Sequence, residues 1–321
     1  MGKEQTPDDL AQKAEQMIAE MRAQGVVGNI AYHRENQRLI CESTQPLSVA
    51  GMLAGLHGAP EAEKPDLVTR FVAAHLRSLE APETWDQARG LVLPRVDTEL
   101  EHVSWPLRSR LEGLSVPQRP TGPVTEHLRL RFVWEIEDAV VTVTAEDVER
   151  WGVTLDALQD AAAENLLART PRPVEWLGSS ELPGVYRTKW RDGFDATRVI
   201  TLQVTEGIPA MGPLVAIATG DSDVFLADST NEAALFQLGL AAQRQIAKKA
   251  QMLWLWPLLL DGEERRHWLP DQASSAYAPL STCAATHAHI VHSAHGRLLQ
   301  RVLEAEGSAV RVGPVGIMQT P

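Results

Sequence analysis

Two cysteines, Cys41 and Cys283, serve a chain of 321 residues. A disulfide scaffold needs more of them, and a zinc cluster needs them closer together. A reduced, cytoplasmic setting is the simplest expectation, with one long-range bridge as the alternative. Long apolar runs are also missing. The longest, Met252–Leu260, spans nine residues and is broken by Pro257, whereas a membrane-spanning helix needs about twenty. The first ten residues are polar and acidic, without the apolar stretch of a signal peptide. Basic residues are in deficit: 30 Lys+Arg face 42 Asp+Glu, a formal net charge of −12. That balance speaks against nucleic acid, whose phosphates need clustered Lys and Arg. The pairs Lys248-Lys249 and Arg265-Arg266 are too small to form such a patch. No GxxxxGK[ST] loop, GxSxG elbow, GxGxxG turn or HExxH pair occurs, which removes the commonest phosphate-loop, hydrolase, dinucleotide and zincin signatures.

Tryptophan is plentiful by contrast. Nine tryptophans outnumber five Phe plus three Tyr, and all lie at or beyond Trp85. With 44% hydrophobic and 22% charged residues, the chain has a globular composition and length enough for a substantial core. Trp134, Trp190, Trp254 and Trp256 fall in predicted strands, so a tryptophan-rich sheet core is expected. An aromatic ligand wall at Trp254 and Trp256 is the alternative.

Periodicity sets the architecture. Thr6-Pro7-Asp8-Asp9 reads as a helix start, and Leu10, Ala14, Met17, Ile18 and Met21 recur at helical spacing up to Gly25. Residues 29–33 and 38–41 read as two short strands. Pro65 opens a helix carrying Val68, Phe71, Val72, Leu76 and Leu79 on one face. Gly90–Val96 reads as a strand. Strict alternation of Leu128, Leu130, Phe132, Trp134 and Ile136 gives the clearest strand, followed after a turn at Asp138 by Val140–Val143. Thr144 and Thr154 each cap a helix, and Pro171 stops the second. Strands are expected at Val185–Trp190, Leu214–Ala218, Val224–Ala227 and Met252–Leu260. Ser229 with Glu232 forms a capping-box pattern ahead of another helix, and Ala284–Glu306 reads as a last one. Helices and antiparallel strands mix without a βαβ rhythm, which predicts an α+β fold: a mixed, mainly antiparallel sheet packed with helices. Pro117, Pro120, Gly122 and Pro123 break regular structure between residues 113 and 124, so this segment reads as a linker or a long loop. It would separate an N-terminal lobe (1–112) from a C-terminal lobe (125–265), with a helical extension at 266–321.

Four places could carry chemistry. In the run from Arg191 to Arg198, Asp192, Asp195 and Arg198 are spaced by three, so a helical turn would put them on one side. Two carboxylates there could hold Mg²⁺ and the guanidinium could grip a phosphate or carboxylate. The plainer reading is a turn at Asp192-Gly193 and a local Asp195–Arg198 ion pair. Asp221, Ser222 and Asp223, with Asp228 beyond them, could converge on a cation or simply supply turn chemistry. Asn165 shares a helical stripe with Leu155, Leu158, Ala162 and Leu166. Its amide therefore points inward, to brace a strand end or to meet a ligand. Finally, His287, His289, His292 and His295 lie within nine residues. Imidazoles at such spacing suit Zn²⁺, Ni²⁺ or Cu²⁺, or form a polar helix face that binds metal only adventitiously.

The blocks Ala163-Glu164-Asn165-Leu166, Asp192-Gly193-Phe194-Asp195-Ala196-Thr197-Arg198, and Leu214–Asp228, ending in Asp223-Val224-Phe225-Leu226-Ala227-Asp228, resemble the YtpQ-like proteins, a bacterial group of unknown function. The resemblance spans roughly residues 8–265 as several short blocks in order. Thr98–Val124 and Trp268–Pro321 depart from it, so it lends the histidine segment nothing. It implies a compact soluble bacterial α+β protein and brings no activity, cofactor or catalytic residue. Asn165, Asp192, Asp195, Arg198 and Asp223 match the family's pattern as positions only. The expectation is therefore a non-catalytic protein binding a partner or a small ligand. The rival is a divalent-metal-dependent hydrolase of a phosphate-containing substrate, in which Asp192, Asp195 and Asp223 hold the ion and Arg198 stabilises developing charge. A metal-responsive histidine segment is a third reading.

Overall fold

A computed structural model describes residues 7–34, 38–41, 44–49, 52, 64–77, 81–111, 118–136, 139–171, 176–178, 182–201, 205, 207–246, 253–262 and 264–313. The sequence expectations at Thr6, Leu79, 112–117, Asp138, Lys248-Lys249 and Met252 lie outside these residues. The fold is α+β with mainly antiparallel sheets. The chain forms two compact units, one of residues 1–91 with 134–141 and the other of 92–133 with 142–321.

The first unit holds α1 (Pro7–Ala23), an antiparallel meander of β1 (Ile30–His33), β2 (Arg38–Cys41) and β3 (Thr44–Ser48), then α2 (Lys64–Arg77) and α3 (Trp85–Ala88). Leu10, Ala14, Met17 and Met21 are buried at helical spacing, and they meet Val68 and Val72 of α2 and Ile30, Leu39 and Leu47 of the meander. The 3.6-residue period that predicted α1 is thus the period of its buried stripe.

The second unit begins with β4 (Val92–Thr98), which runs directly into α4 (Glu99–Leu111). β5 (Thr121–Pro123) and β6 (Leu128–Ile136) complete a sheet in the order β4-β6-β5, and β7 (Ala139–Thr142) pairs with β6; residues 134–136 of β6 and 139–141 of β7 are counted with the first unit. Two findings correct the sequence reading here. The proline- and glycine-rich segment does carry a strand: Thr121, Gly122 and Pro123 pair with Arg131, Leu130 and Arg129. It lies at a sheet edge, where a missing N–H costs little. Pro94 is tolerated in β4, at the end of the same strand order, for the same reason. A helix not anticipated over 99–111 follows, with Pro106 inside it.

Helices α5 (Ala145–Trp151) and α6 (Leu155–Ala168) start at the expected threonines, since Thr144 Oγ1 accepts from Asp147 N–H and Thr154 Oγ1 from Ala157 N–H. The second sheet has six antiparallel strands: β8 (Leu177–Gly178), β9 (Val185–Arg187), β10 (Leu214–Gly220), β11 (Asp223–Asp228), β12 (Trp254–Asp261) and β13 (Glu264–His267), in the order β13-β12-β10-β11-β9-β8. Strand β9 stops at Arg187, so Trp190 lies beyond it, edge-on to Trp176 at 5.7 Å between centroids. One sheet face turns Leu214, Ala216, Ala218, Leu226, Trp254 and Leu258 toward α7 (Asp195–Thr201). The other turns Val215, Ile217, Phe225, Leu255 and Leu259 toward α8 (Glu232–Ile246) and α9 (Tyr277–Ala305). Both faces are dry, so β10 and β11 read as continuous apolar runs rather than alternating ones. Helices α8 and α9 approach closely at Gly239, where an added Cβ would lie 2.8 Å from Pro279 Cβ. The cap of α8 is Asn231, whose Oδ1 accepts from Ala234 N–H at 3.0 Å. Ser229 is two residues too early, and Glu232 instead accepts from Ser274 and Ser275.

Candidate functional site

The Asp192–Arg198 segment folds into a structural bolt. Helix α7 starts at Asp195, so Asp192 precedes it and the three side chains do not share a helical face. Arg198 is fully buried. It donates from Nη1 and Nη2 to the two oxygens of Asp192, both at 2.7 Å, from Nε to Thr170 Oγ1 at 3.0 Å, and from Nη2 to the Arg169 carbonyl at 3.3 Å. The ion pair is thus Asp192–Arg198, and the expected Asp195–Arg198 pair is replaced by it. Burial works against the Asp192 charge, but the Arg198 guanidinium and the Phe194 N–H hold its carboxyl below the usual range. Asp195 is itself buried and accepts Arg191 N–H through Oδ1, pinning a residue with φ of 55°.

The other predicted residues are also engaged locally. Asp223 pairs with Arg187 and Asp221 with Arg95. Asp228 accepts from Met211 N–H, Thr230 N–H and the Thr230 hydroxyl at 2.6–2.8 Å, which is turn chemistry. Asn165 Nδ2 donates to the Val92 carbonyl at 2.8 Å, at the first residue of β4. Among the described residues no three His, Cys, Asp or Glu side chains assemble to hold a metal ion. The metal-holding triad of Asp192, Asp195 and Asp223 is therefore not formed. The histidines disperse on α9: His287 Nδ1 accepts from Leu255 N–H at 3.3 Å, while His289 faces an open groove with Arg297 and Arg301. Two guanidinium groups beside that imidazole disfavour a cation.

A different set of residues comes together where β4 meets α4. Strand β4 contributes Arg95 and Asp97, the first turn of α4 contributes Glu101, the segment before β5 contributes Arg119, and β6 contributes Arg131. The local fold that places them is specified simply. Val96 N–H donates to Thr197 Oγ1 at 3.1 Å, which ties β4 to α7. Thr98 Oγ1 accepts from Glu101 N–H at 3.2 Å, which caps α4 and fixes Glu101 beside Asp97. Arg119 stacks on Trp105 of α4, 3.5 Å from the ring centroid, as a guanidinium does on an indole face.

Charge is crowded here. Arg119 Nη1 lies 3.9 Å from Asp97 Oδ2, and Arg131 Nη2 lies 3.7 Å from Glu101 Oε2. Neither is a hydrogen bond. The Arg131 Nη1 contact to Thr142 Oγ1 is long, at 3.4 Å. Asp97 is buried, at 1% side-chain exposure, while Glu101 opens to solvent at 57%. Burial, with the Glu101 carboxyl beside it, pushes Asp97 up to about 7, against the pull of Arg131 and Arg119. Burial also opposes charge on Glu101, but the neighbouring Asp97 and the arginines Arg131, Arg95 and Arg119 hold it below the usual range. Burial and repulsion from Arg131 bring Arg119 down to about 10, so it stays charged at neutral pH.

Unmet hydrogen-bonding capacity concentrates in the same place. Among the described residues, the Nε atoms of Arg95, Arg119 and Arg131, both oxygens of Asp97, Ser104 Oγ and Trp105 Nε1 are all buried without a protein partner. Buried polar groups are normally satisfied, and each orphan costs about 1–3 kcal/mol. Seven such atoms, the two Asp97 oxygens among them, leave donors and an acceptor open on β4, α4, β6 and the segment before β5. The sequence signal was weak but present: Arg95 and Asp97 sit on an otherwise apolar strand, and Arg131 occupies a polar position of the alternating strand β6.

No family model, curated protein or solved structure matches the chain.

Proposed function

We propose that this is a non-catalytic binding protein whose ligand is a small anion or a small molecule bearing one, seated between Arg119 and Arg131. The observation that carries this reading is the convergence of these two guanidinium groups, each with a buried Nε lacking an acceptor among the described residues, on a buried carboxyl, with Arg95 acting on the neighbouring Glu101. Guanidinium matches carboxylate and phosphate oxygens in geometry as well as charge. With Asp97 protonated, the cluster is locally cationic within a chain of net charge −12, which favours a small anion over a nucleic acid. A binding role is supported by the chemistry of the thiols as well: both are free and buried, and burial pushes Cys283 up to about 12, leaving it a poor nucleophile. The same free cysteines support a reducing, cytoplasmic setting. Membership of the YtpQ-like family is part of the proposal and rests on the short sequence blocks alone.

Calorimetric titration with inorganic phosphate and with small carboxylates tests the reading. Binding is expected to weaken by about 10- to 100-fold in Arg119→Gln and in Arg131→Gln, the worth of a charge-assisted hydrogen bond. Affinity unchanged in both variants would refute it. Turnover of a phosphate ester by the purified protein, lost in Arg131→Gln with the fold retained, would overturn the non-catalytic part.

A further inference from the structure

Arginines supply only donors, so a seat made of guanidinium groups alone accepts any small oxyanion of suitable charge. This seat contains a second kind of group. Asp97 lies at its base with both oxygens lacking a protein donor, and the nearby Arg119 Nη1 at 3.9 Å is beyond hydrogen-bond reach. The groups that face Asp97 are Glu101 from α4, Arg119 from before β5 and Arg131 from β6. Above neutral pH Asp97 gives up its proton and is an acceptor at both oxygens. In that state the base of the seat asks the ligand for a hydrogen, while the arginines ask it for lone pairs.

We propose, on the anion-binding reading above, that the ligand carries a hydrogen-bearing phosphate group, its unprotonated oxygens on Arg119 and Arg131 and its P–O–H donating to Asp97. Inorganic phosphate and a phosphate monoester share this chemistry. Sulfate has the same tetrahedral shape and charge but no hydrogen at neutral pH. Its oxygen would face the Asp97 oxygen lone pair to lone pair, leaving a buried acceptor unpaired against a like charge. Sites that hydrogen-bond a ligand hydroxyl reject the analogue lacking it by factors on the order of 10⁴. The opening beside Glu101 softens that figure here, and discrimination of at least about 100-fold is expected.

The test is a calorimetric comparison of inorganic phosphate, methyl phosphate and sulfate with the full chain, first at pH 8. Phosphate binding at least about 100-fold tighter than sulfate at pH 8 supports the proposal, whereas methyl phosphate, which has lost its hydrogen there, matching phosphate at that pH overturns it. The tighter of the two at pH 5, where both carry a hydrogen, identifies the ligand form. Asp97→Asn presents an amide N–H to the seat and is expected to bring sulfate within about tenfold of phosphate. Equal binding of phosphate and sulfate by the unaltered protein overturns the proposal while leaving an anion site in place. Discrimination undiminished in a folded Asp97→Asn overturns it also. Binding of none of the three overturns the proposal together with the reading beneath it. The wild-type comparison depends on no variant, so a misfolded Asp97→Asn does not rescue the idea.

Discussion

Replacing Arg198 by Met separates a structural bolt from a ligand-gripping residue. Met fills the stem of the side chain, so the change removes the guanidinium and little packing volume. Four hydrogen bonds go with it: two to Asp192, one to Thr170 and one to the Arg169 carbonyl. Removing one partner of a buried pair costs about 3–5 kcal/mol, mostly for the groups left behind. Asp192 keeps 34% side-chain exposure and can rehydrate, which lowers that figure. Thr170 Oγ1 retains its own bond to the Leu166 carbonyl at 2.7 Å, so it is not orphaned as a donor. The expected loss is about 3 kcal/mol, read as a shift in urea midpoint at constant m-value. Anion affinity, measured well below the new midpoint, should stay within about twofold, because Arg198 belongs to a different cluster. A loss under about 1 kcal/mol, together with abolished anion binding, would refute the assignment of Arg198 as structural.

Three further outcomes follow from named contacts. Asn231→Ala removes the N-cap of α8 and should cost about 1 kcal/mol in denaturant unfolding, whereas Ser229→Ala should cost less than half as much; the reverse order would restore Ser229 as the cap. Gly239→Leu forces a side chain against Pro279, where a bare Cβ already lies at 2.8 Å, and should lower stability by about 1–3 kcal/mol; a neutral result would mean that α8 and α9 are not in close contact. Asp97 makes stability pH-dependent. Its carboxyl is raised from 3.8 to about 7 in the folded chain, so between these values the folded state binds more protons than the unfolded one. Stability from this group therefore falls as pH rises through that window and is fully lost above about 7. The Asp97→Asn variant should gain on the wild type by about 2 kcal/mol between pH 5 and pH 8, since one pKa unit corresponds to about 1.4 kcal/mol and Glu101 offsets part. Parallel denaturation curves at the two pH values, with no relative gain, would contradict the raised carboxyl.

The fold class was legible because its elements follow short-range rules. Leu10, Ala14, Met17 and Met21 announced α1, and the apolar runs of β10, β11 and β12 announced strands. Capping by Thr144 and Thr154 was equally local. The errors share a cause in tertiary context. Thr121–Pro123 forms a strand because β6 offers an edge where proline does no harm. Asn231 rather than Ser229 caps α8 because the chain leaves β11 through the Asp228–Thr230 turn. At the candidate site the spacing of Asp192, Asp195 and Arg198 was suggestive only if one helix held all three. The helix begins at Asp195, and Arg198 reaches back to Asp192 instead. The five charged residues that do converge come from four separate segments between Arg95 and Arg131. No spacing rule links them, so neither composition nor periodicity could bring them to one place. Only the buried Asp97 with its unpartnered oxygens singles them out.

The central claim is that Arg119 and Arg131 hold an anion over Asp97. A crystal structure of the protein grown or soaked with inorganic phosphate tests it most directly. The account predicts one tetrahedral anion within hydrogen-bond distance of the Arg119 and Arg131 guanidinium groups, with one oxygen about 2.5–2.7 Å from Asp97, the spacing of a charge-assisted O–H···O bond. A well-ordered structure in which Arg119 and Arg131 instead close directly onto Asp97 and Glu101, with the anion elsewhere or absent at saturating phosphate, would contradict it.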